Sequence, residues 1–194
     1  LIKIDEENKK IVFGTIGTLE TKYKGIHLAL KALSNILKTH SFEYHILGKG
    51  DENYYRKIAI KNGIDKNVFF DGTLPGGEAV FNWLDNIDIY LQPSLQEGLP
   101  RATIEALSRG CPTIGSNAGG IPELISDDLI CNPKNINDFV STILILIDNK
   151  DKLKDEAIKN FNTAKLYKKE ILDQRRNEFW ENFKLSINTN RKEI

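Results

Sequence analysis

Apolar positions along the chain fall into short clusters separated by stretches of helical periodicity, and the alternation runs from Ile11 to Cys131. Clusters near 11–17, 43–48, 67–71, 87–92, 112–116 and 129–131 read as strands, with helical patterns bridging them. That rhythm indicates βαβ units around a parallel sheet. Ile26, Leu30, Leu33 and Leu37 recur at helical spacing, so residues 25–39 are predicted as an amphipathic helix with one buried stripe. Further helices are predicted near 52–62, 76–85, 100–109, 135–148 and 151–168. A polar, amphipathic tail follows at 172–187, whose Phe179, Trp180 and Phe183 need a surface to cover, and 188–194 read as frayed. The fold class is α/β, a Rossmann-like parallel sheet of about six strands flanked by helices.

The loops after these strands carry the candidate chemistry. Ser94-Leu-Gln-Glu97-Gly98-Leu99-Pro100 joins a strand end to a helix that carries Glu105. Pro100 fits the first helical position, which turns the N–H groups around Gly98 and Leu99 outward at the positive end of the helix, where phosphate binds. Glu97 and Glu105 supply acceptors for hydroxyls. Pro75-Gly76-Gly77 and Asn117-Ala-Gly119-Gly120-Ile-Pro122 also follow strand carboxyl ends, the edge at which an open parallel sheet holds its ligand. Lys22 and Lys24 stand at the entrance of the first long helix. There each opposes the macrodipole at a cost of about 0.3–1 kcal/mol unless an anion lies nearby. They read either as solvated surface groups or as phosphate ligands, Lys24 with the better claim because it precedes Gly25. An Arg101–Glu105 surface ion pair is the plain reading of that spacing, but it leaves Glu97 and the Gly98-Leu99 turn unexplained.

Composition narrows the classes. At 194 residues the chain suits one well-cored domain, and 27 basic against 27 acidic residues leave no global field to draw nucleic acid. The longest apolar run, Ile143 to Ile147, is far too short to span a membrane. Cys111 and Cys131 stand alone, with no disulfide framework or zinc spacing, which fits a reducing cytoplasm. A start at Leu1 and the lack of any Met suggest a piece of something longer. Gly48-Lys-Gly50 is not a dinucleotide fingerprint, since Asn53 occupies the third glycine's place, and no P-loop sequence occurs. Asp127-Asp128 reads as a turn, no Asp-x-Asp exists, and no metal is assigned. His27, His40 and His45 are scattered, which argues against a triad, and Tyr54, Tyr55 and Trp83 read as packing residues.

Several ordered segments together resemble the carboxy-terminal, donor-binding half of family 4 (group 1) glycosyltransferases, retaining enzymes of the GT-B fold. Gly17 with Lys24-Gly25 resembles the opening phosphate motif, Ile46-Leu-Gly48-Lys49-Gly50 the second strand and its turn, and Val68-Phe-Phe-Asp-Gly72 the third strand. Asp88-Ile-Tyr-Leu-Gln-Pro-Ser94 leads into Glu97-Gly-Leu-Pro100 and Glu105-Ala-Leu, and Gly110-Cys-Pro-Thr-Ile is followed by Gly119-Gly-Ile-Pro-Glu123-Leu. The resemblance covers about Ile11 to Pro133.

It implies that Glu97, the catalytic residue, contacts hydroxyls of the transferred sugar. Glu105 would hold the ribose, and the Gly98-Leu99 amides with Lys24 the diphosphate. Ser94 and Pro100 frame that turn, Gly17 and the Gly48-Lys49-Gly50 turn line the crevice, and Thr73-Leu74 border the nucleobase. No metal or cofactor is implied, because N–H donors and a lysine stabilise the leaving diphosphate. The donor would be a nucleoside-diphosphate sugar. The acceptor, a glycan or lipid-linked molecule, would sit on a missing amino-terminal domain, so that this piece alone is inactive. Residues 1–171 would form the sugar-nucleotide domain and 172–194 a helical tail that crosses to the absent half. A cytoplasmic place follows, with peripheral attachment to the inner membrane face left open. Two departures stand out: Thr18 where the family commonly has arginine, which puts diphosphate affinity in question, and Pro100-Arg101, a variant familiar from capsule and exopolysaccharide enzymes. A nucleotide-sugar epimerase and a non-catalytic sugar-nucleotide module remain the alternatives.

Overall fold

The computed structural model describes residues 10–190. Six strands form one parallel sheet: β1 (Ile11–Ile16), β2 (Phe42–Leu47), β3 (Val68–Gly72), β4 (Ile89–Gln92), β5 (Thr113–Ser116) and β6 (Ile130–Cys131). Their spatial order is β3-β2-β1-β4-β5-β6. The chain therefore winds outward from β1 to β3, returns to the middle, and winds the other way from β4. The point where direction reverses, between β1 and β4, is where such sheets open a crevice at their carboxyl edge.

Seven α-helices occur among the described residues: α1 (Ile26–Ile36), α2 (Asn53–Lys61), α3 (Glu78–Leu84), α4 (Arg101–Ser108), α5 (Ile136–Ile147) and α6 (Lys150–Lys165) flank the sheet, and α7 (Lys169–Asn190) follows them. Helix α1 buries Leu30 and Leu33 in the main core with Phe13, Ile89 and Ile114, where Phe139 and Ile143 of α5 also pack. A smaller core on the opposite side joins Val80 and Leu84 of α3 to Leu47, Tyr90, Ala106 and Cys111. Asn160 of α6 donates to the Cys111 carbonyl (2.8 Å), which ties α6 to the start of β5.

Four details depart from the sequence reading. Strand β4 begins at Ile89 rather than 87, because the Asp88 carboxylate takes the Val12 amide (2.9 Å) in place of a ladder bond. Helix α1 begins at Ile26, preceded by a separate 3₁₀ turn at Lys22–Lys24 that ends on Gly25 at φ +71°. Pro100 is the residue before α4 and not its first, with ψ at 110°, so its carbonyl accepts the opening helical bond from the Ile104 amide (3.3 Å). Residues 188–190 continue α7 instead of fraying, while 191–194 lie outside the described residues. From Gln174 to Ile187 every residue of α7 is exposed. Phe179, Trp180 and Phe183 stack on one another rather than on the sheet domain.

Truncation of the fully buried Leu33 to alanine removes contacts from the centre of the main core. It should cost about 2–5 kcal/mol of unfolding free energy, as read from urea denaturation.

Candidate functional site

Strands β1 and β4 lie side by side at the switch point, and the loops leaving their carboxyl ends build the site. The β1 loop runs through the 3₁₀ turn that carries Lys24. Gly25 presses so closely on the β4 loop that a Cβ there would stand 1.8 Å from the Pro93 carbonyl oxygen. The Leu95 amide donates to the Tyr23 carbonyl (2.6 Å) and locks the two loops together. From the far side, Gly119 at φ +54° lets the β5 loop sit on the same segment, where a Cβ would come within 2.0 Å of the Glu97 carbonyl oxygen. The Gly120 amide donates to Gly98 O (2.8 Å).

This clamp holds Glu97. Its Oε1 accepts three hydrogen bonds: Lys24 Nζ at 2.6 Å, Ser94 Oγ at 2.9 Å and Gln92 Nε2 at 3.0 Å. The Glu97 side chain is only 8% exposed and that of Lys24 21%, so the pair is a largely desolvated ion pair. Its charges are matched and hydrogen-bonded, which is what makes such burial tolerable. Of the two readings of Lys24, the solvated one is thereby overturned. Lys22 is exposed and lies 4.5 Å over the Tyr54 ring.

Next to this cluster, the amides of Gly98 and Leu99 donate to no described residue, and both residues are exposed. They adjoin the N-terminus of α4, whose partial positive charge favours an anion. Glu105 lies on α4, half-buried. Burial pushes its carboxyl above the ordinary carboxylate value, and the Arg101 charge offsets this only in part. Burial holds the Tyr90 phenol above its ordinary value, and the charges of Glu105 and Glu97 add to that shift. Two carboxylates, an ammonium and free amides so arranged can take an anion and hydroxyl groups together.

The other expected residues stand at the neighbouring strand ends. Gly17 and Gly48 abut, and the Gly17 amide is already spent on Leu47 O (3.0 Å). The Thr18 hydroxyl donates across to Lys49 O in the loop after β2 (3.3 Å) and accepts from the Glu20 amide of its own loop (3.2 Å). Lys49, Thr73 and Leu74 are exposed at the ends of β2 and β3, outside the Glu97 cluster. Asp128 pairs with Lys152, in keeping with the turn reading of Asp127-Asp128. Sequence reasoning gave no role to Gln92, Tyr90 and Thr103, all buried beneath the site. The available signal was Gln92, an amide at the end of a four-residue strand that is buried throughout.

The raised Glu105 value has a thermodynamic consequence. A carboxyl whose folded pKa exceeds its unfolded one contributes stability below the unfolded value and loses it as pH rises through the folded value. Glu105→Gln should therefore unfold at a higher temperature than the parent at pH 7, with the gap closing toward pH 3, in calorimetric melts without ligand.

Residues 2–163 match the family described as Glycosyl transferases group 1. Protein CapJ of Staphylococcus aureus is 32% identical over 180 residues, covering 92% of this chain and 46% of CapJ. The amylovoran biosynthesis glycosyltransferase AmsK of Erwinia amylovora is 39% identical over 118 residues, 56% of this chain and 28% of AmsK. The chain thus spans about half or less of the length of these relatives. Among solved structures, the C-terminal domain of the group 1 protein LpcC from Francisella tularensis superimposes with a TM-score of 0.72 at 23% identity, covering 82% of this chain and 87% of that one. Anabaena HepE, solved in complex with UDP and glucose, gives 0.76 at 19% identity, covering 89% of this chain and 48% of that one. By the extent of the family match this chain belongs to the group 1 glycosyl transferases.

Proposed function

We propose that this chain is the donor-binding domain of a retaining glycosyltransferase that takes a sugar from a nucleoside diphosphate and passes it to a glycan or lipid-linked acceptor. The observation that carries the reading is the buried Glu97 carboxylate, held at the switch point beside two backbone amides that donate to no described residue. The diphosphate would rest on the Gly98 and Leu99 amides and Lys24, the ribose hydroxyls on Glu105, and the sugar hydroxyls on Glu97. Thr73 and Leu74 would border the nucleobase, and the Gly48-Lys49-Gly50 turn would line the crevice. When the bond from the anomeric carbon to the phosphate oxygen breaks, the leaving diphosphate gains charge. Fixed N–H donors and an ammonium stabilise that charge without reorganising. The acceptor hydroxyl forms the new bond to the same carbon and gives its proton to the departing phosphate oxygen.

HepE's complex with UDP and glucose supports a nucleotide sugar as ligand, and AmsK's role in amylovoran biosynthesis supports a surface polysaccharide as product. The acceptor site would belong to an amino-terminal half, in keeping with a chain that covers 46% of CapJ. The unpacked aromatic face of α7 would lie against that half, and the working enzyme would act in the cytoplasm, near the membrane when its acceptor is lipid-linked. Residues 10–171 would then form a unit of their own.

Calorimetry of the chain against UDP, GDP and ADP should show one nucleotide preferred. Glu105→Ala and Lys24→Gln should each weaken it about tenfold, the loss of one charge-assisted contact. Undiminished affinity in both variants would remove the site assignment. Deletion of 172–194 should leave one cooperative thermal transition; its loss would show that the tail belongs to the sheet domain.

A further inference from the structure

Beneath Glu97 lies a chain of buried polar groups that the proposed chemistry does not use. Gln92, Tyr90, Ser94 and Thr103 are each at most 1% exposed. Gln92 Oε1 accepts from Thr103 Oγ1 on α4 and from Tyr90 Oη on β4, both at 3.0 Å. Its Nε2 donates to Ser94 Oγ (2.9 Å) and to Glu97 Oε1 (3.0 Å). Tyr90 Oη in turn accepts from the Ile16 amide at the end of β1 (3.2 Å). The orientation of the amide follows from chemistry: a carboxylate only accepts, so the side facing Glu97 must be the NH₂. Both of its N–H bonds and its carbonyl are thereby occupied.

Each of these groups would be costly to bury alone, and a satisfied network of this kind fixes the positions of its members. Among the described residues, the three donors to Glu97 all converge on its Oε1. Oε2 accepts from no described residue, and it is not among the enclosed polar atoms that lack a partner, so it opens on solvent.

We propose that Gln92, itself held by Thr103 and Tyr90, is a positioning residue that pins Glu97 Oε1 into the domain and leaves Oε2 as the single acceptor offered to the donor sugar. The inference rests on the nucleotide-sugar reading for the identity of the ligand, but the placement of the carboxylate does not. With Oε1 occupied on three sides, Glu97 can accept from sugar hydroxyls in one direction only. The relay therefore sets sugar recognition, while nucleotide affinity depends on Glu105, Lys24 and the Gly98-Leu99 amides, none of which bonds to Gln92.

Two variants separate positioning from packing. Gln92→Met keeps the side-chain volume and removes every hydrogen bond. Gln92→Glu keeps the shape and the acceptor toward Thr103 and Tyr90, but replaces the donor facing Glu97 with a second acceptor. Crystal structures of the unliganded chains should show the Glu97 carboxylate turned from its parent position in both variants. A carboxylate still seated on Lys24 and Ser94 in the parent geometry would overturn the proposal, whatever the ligand. Calorimetry should then compare UDP, GDP and ADP with UDP-glucose, GDP-glucose and ADP-glucose. For the base that binds, the free diphosphate should bind within about twofold of parent affinity, and the glucose conjugate should lose about tenfold in Gln92→Met and more in Gln92→Glu. Equal losses for diphosphate and conjugate would mark a structural role and contradict the inference. Where a Gln92 variant fails to fold, Thr103→Val removes one anchor of the relay and should shift the same ratio in the same direction; an unmoved ratio in that variant contradicts the inference. Parent chain that binds none of the six would defeat the functional reading, and the crystal structures alone would still decide the placement of Glu97.

Discussion

The Lys24–Glu97 ion pair is the interaction around which the carboxyl edge of the sheet is organised. A carboxylate at 8% exposure cannot stand alone, because the cost of removing its charge from water amounts to several kcal/mol. The chain meets that cost from three directions: an ammonium from the β1 loop, a hydroxyl from the β4 loop and an amide from β4 itself. Each donor is fixed by something else. Gly25 brings the Lys24 turn against Pro93, Ser116 of β5 holds the Ser94 carbonyl, and Thr103 of α4 holds Gln92. The electrostatic requirement of one side chain thus ties the β1 loop to β4, α4 and β5, which lie much further along the chain.

Topology explains why this happens here and not at another strand end. With order β3-β2-β1-β4-β5-β6, only β1 and β4 send their loops apart, one toward α1 and the other toward α4. The gap between them exposes the start of α4, and the extended ψ at Pro100 turns the chain so that Gly98 and Leu99 precede that helix with amides that donate to no described residue. Fold and chemistry meet where the sheet cannot close its own edge. Membership of the group 1 glycosyl transferases gives that edge a biological setting, and the polar relay under Glu97 gives it a local logic particular to these residues.

Much of this was legible in the sequence for definite reasons. Strand β4 is buried throughout and reads as an apolar run, β2 and β3 alternate buried with more exposed positions, and Leu33 and Leu30 betrayed α1 by their spacing. Glu97, Gly98 and Glu105 were visible because a glycine turn between two carboxylates has no simple packing explanation. The 3₁₀ turn at Lys22–Lys24 was not visible, since its backbone is set by the contact of Gly25 with Pro93, about seventy residues away in sequence. The late start of β4 was hidden for a similar reason: Asp88 replaces a ladder bond with its side chain, and composition alone does not show that. Gln92 was passed over because one amide in a strand acquires meaning only when Thr103 and Tyr90 are seen to face it.

The central claim is that an anion, a sugar nucleotide's diphosphate, lodges on the backbone at the mouth of α4 beside Glu97. It is tested most directly by a ¹H–¹⁵N NMR titration of the chain with UDP, GDP and ADP, following the backbone amides one by one. The account predicts that the Gly98 and Leu99 amide signals move most, with saturable shifts for one nucleotide. Saturable binding that moves amides elsewhere while leaving those two unchanged would contradict it.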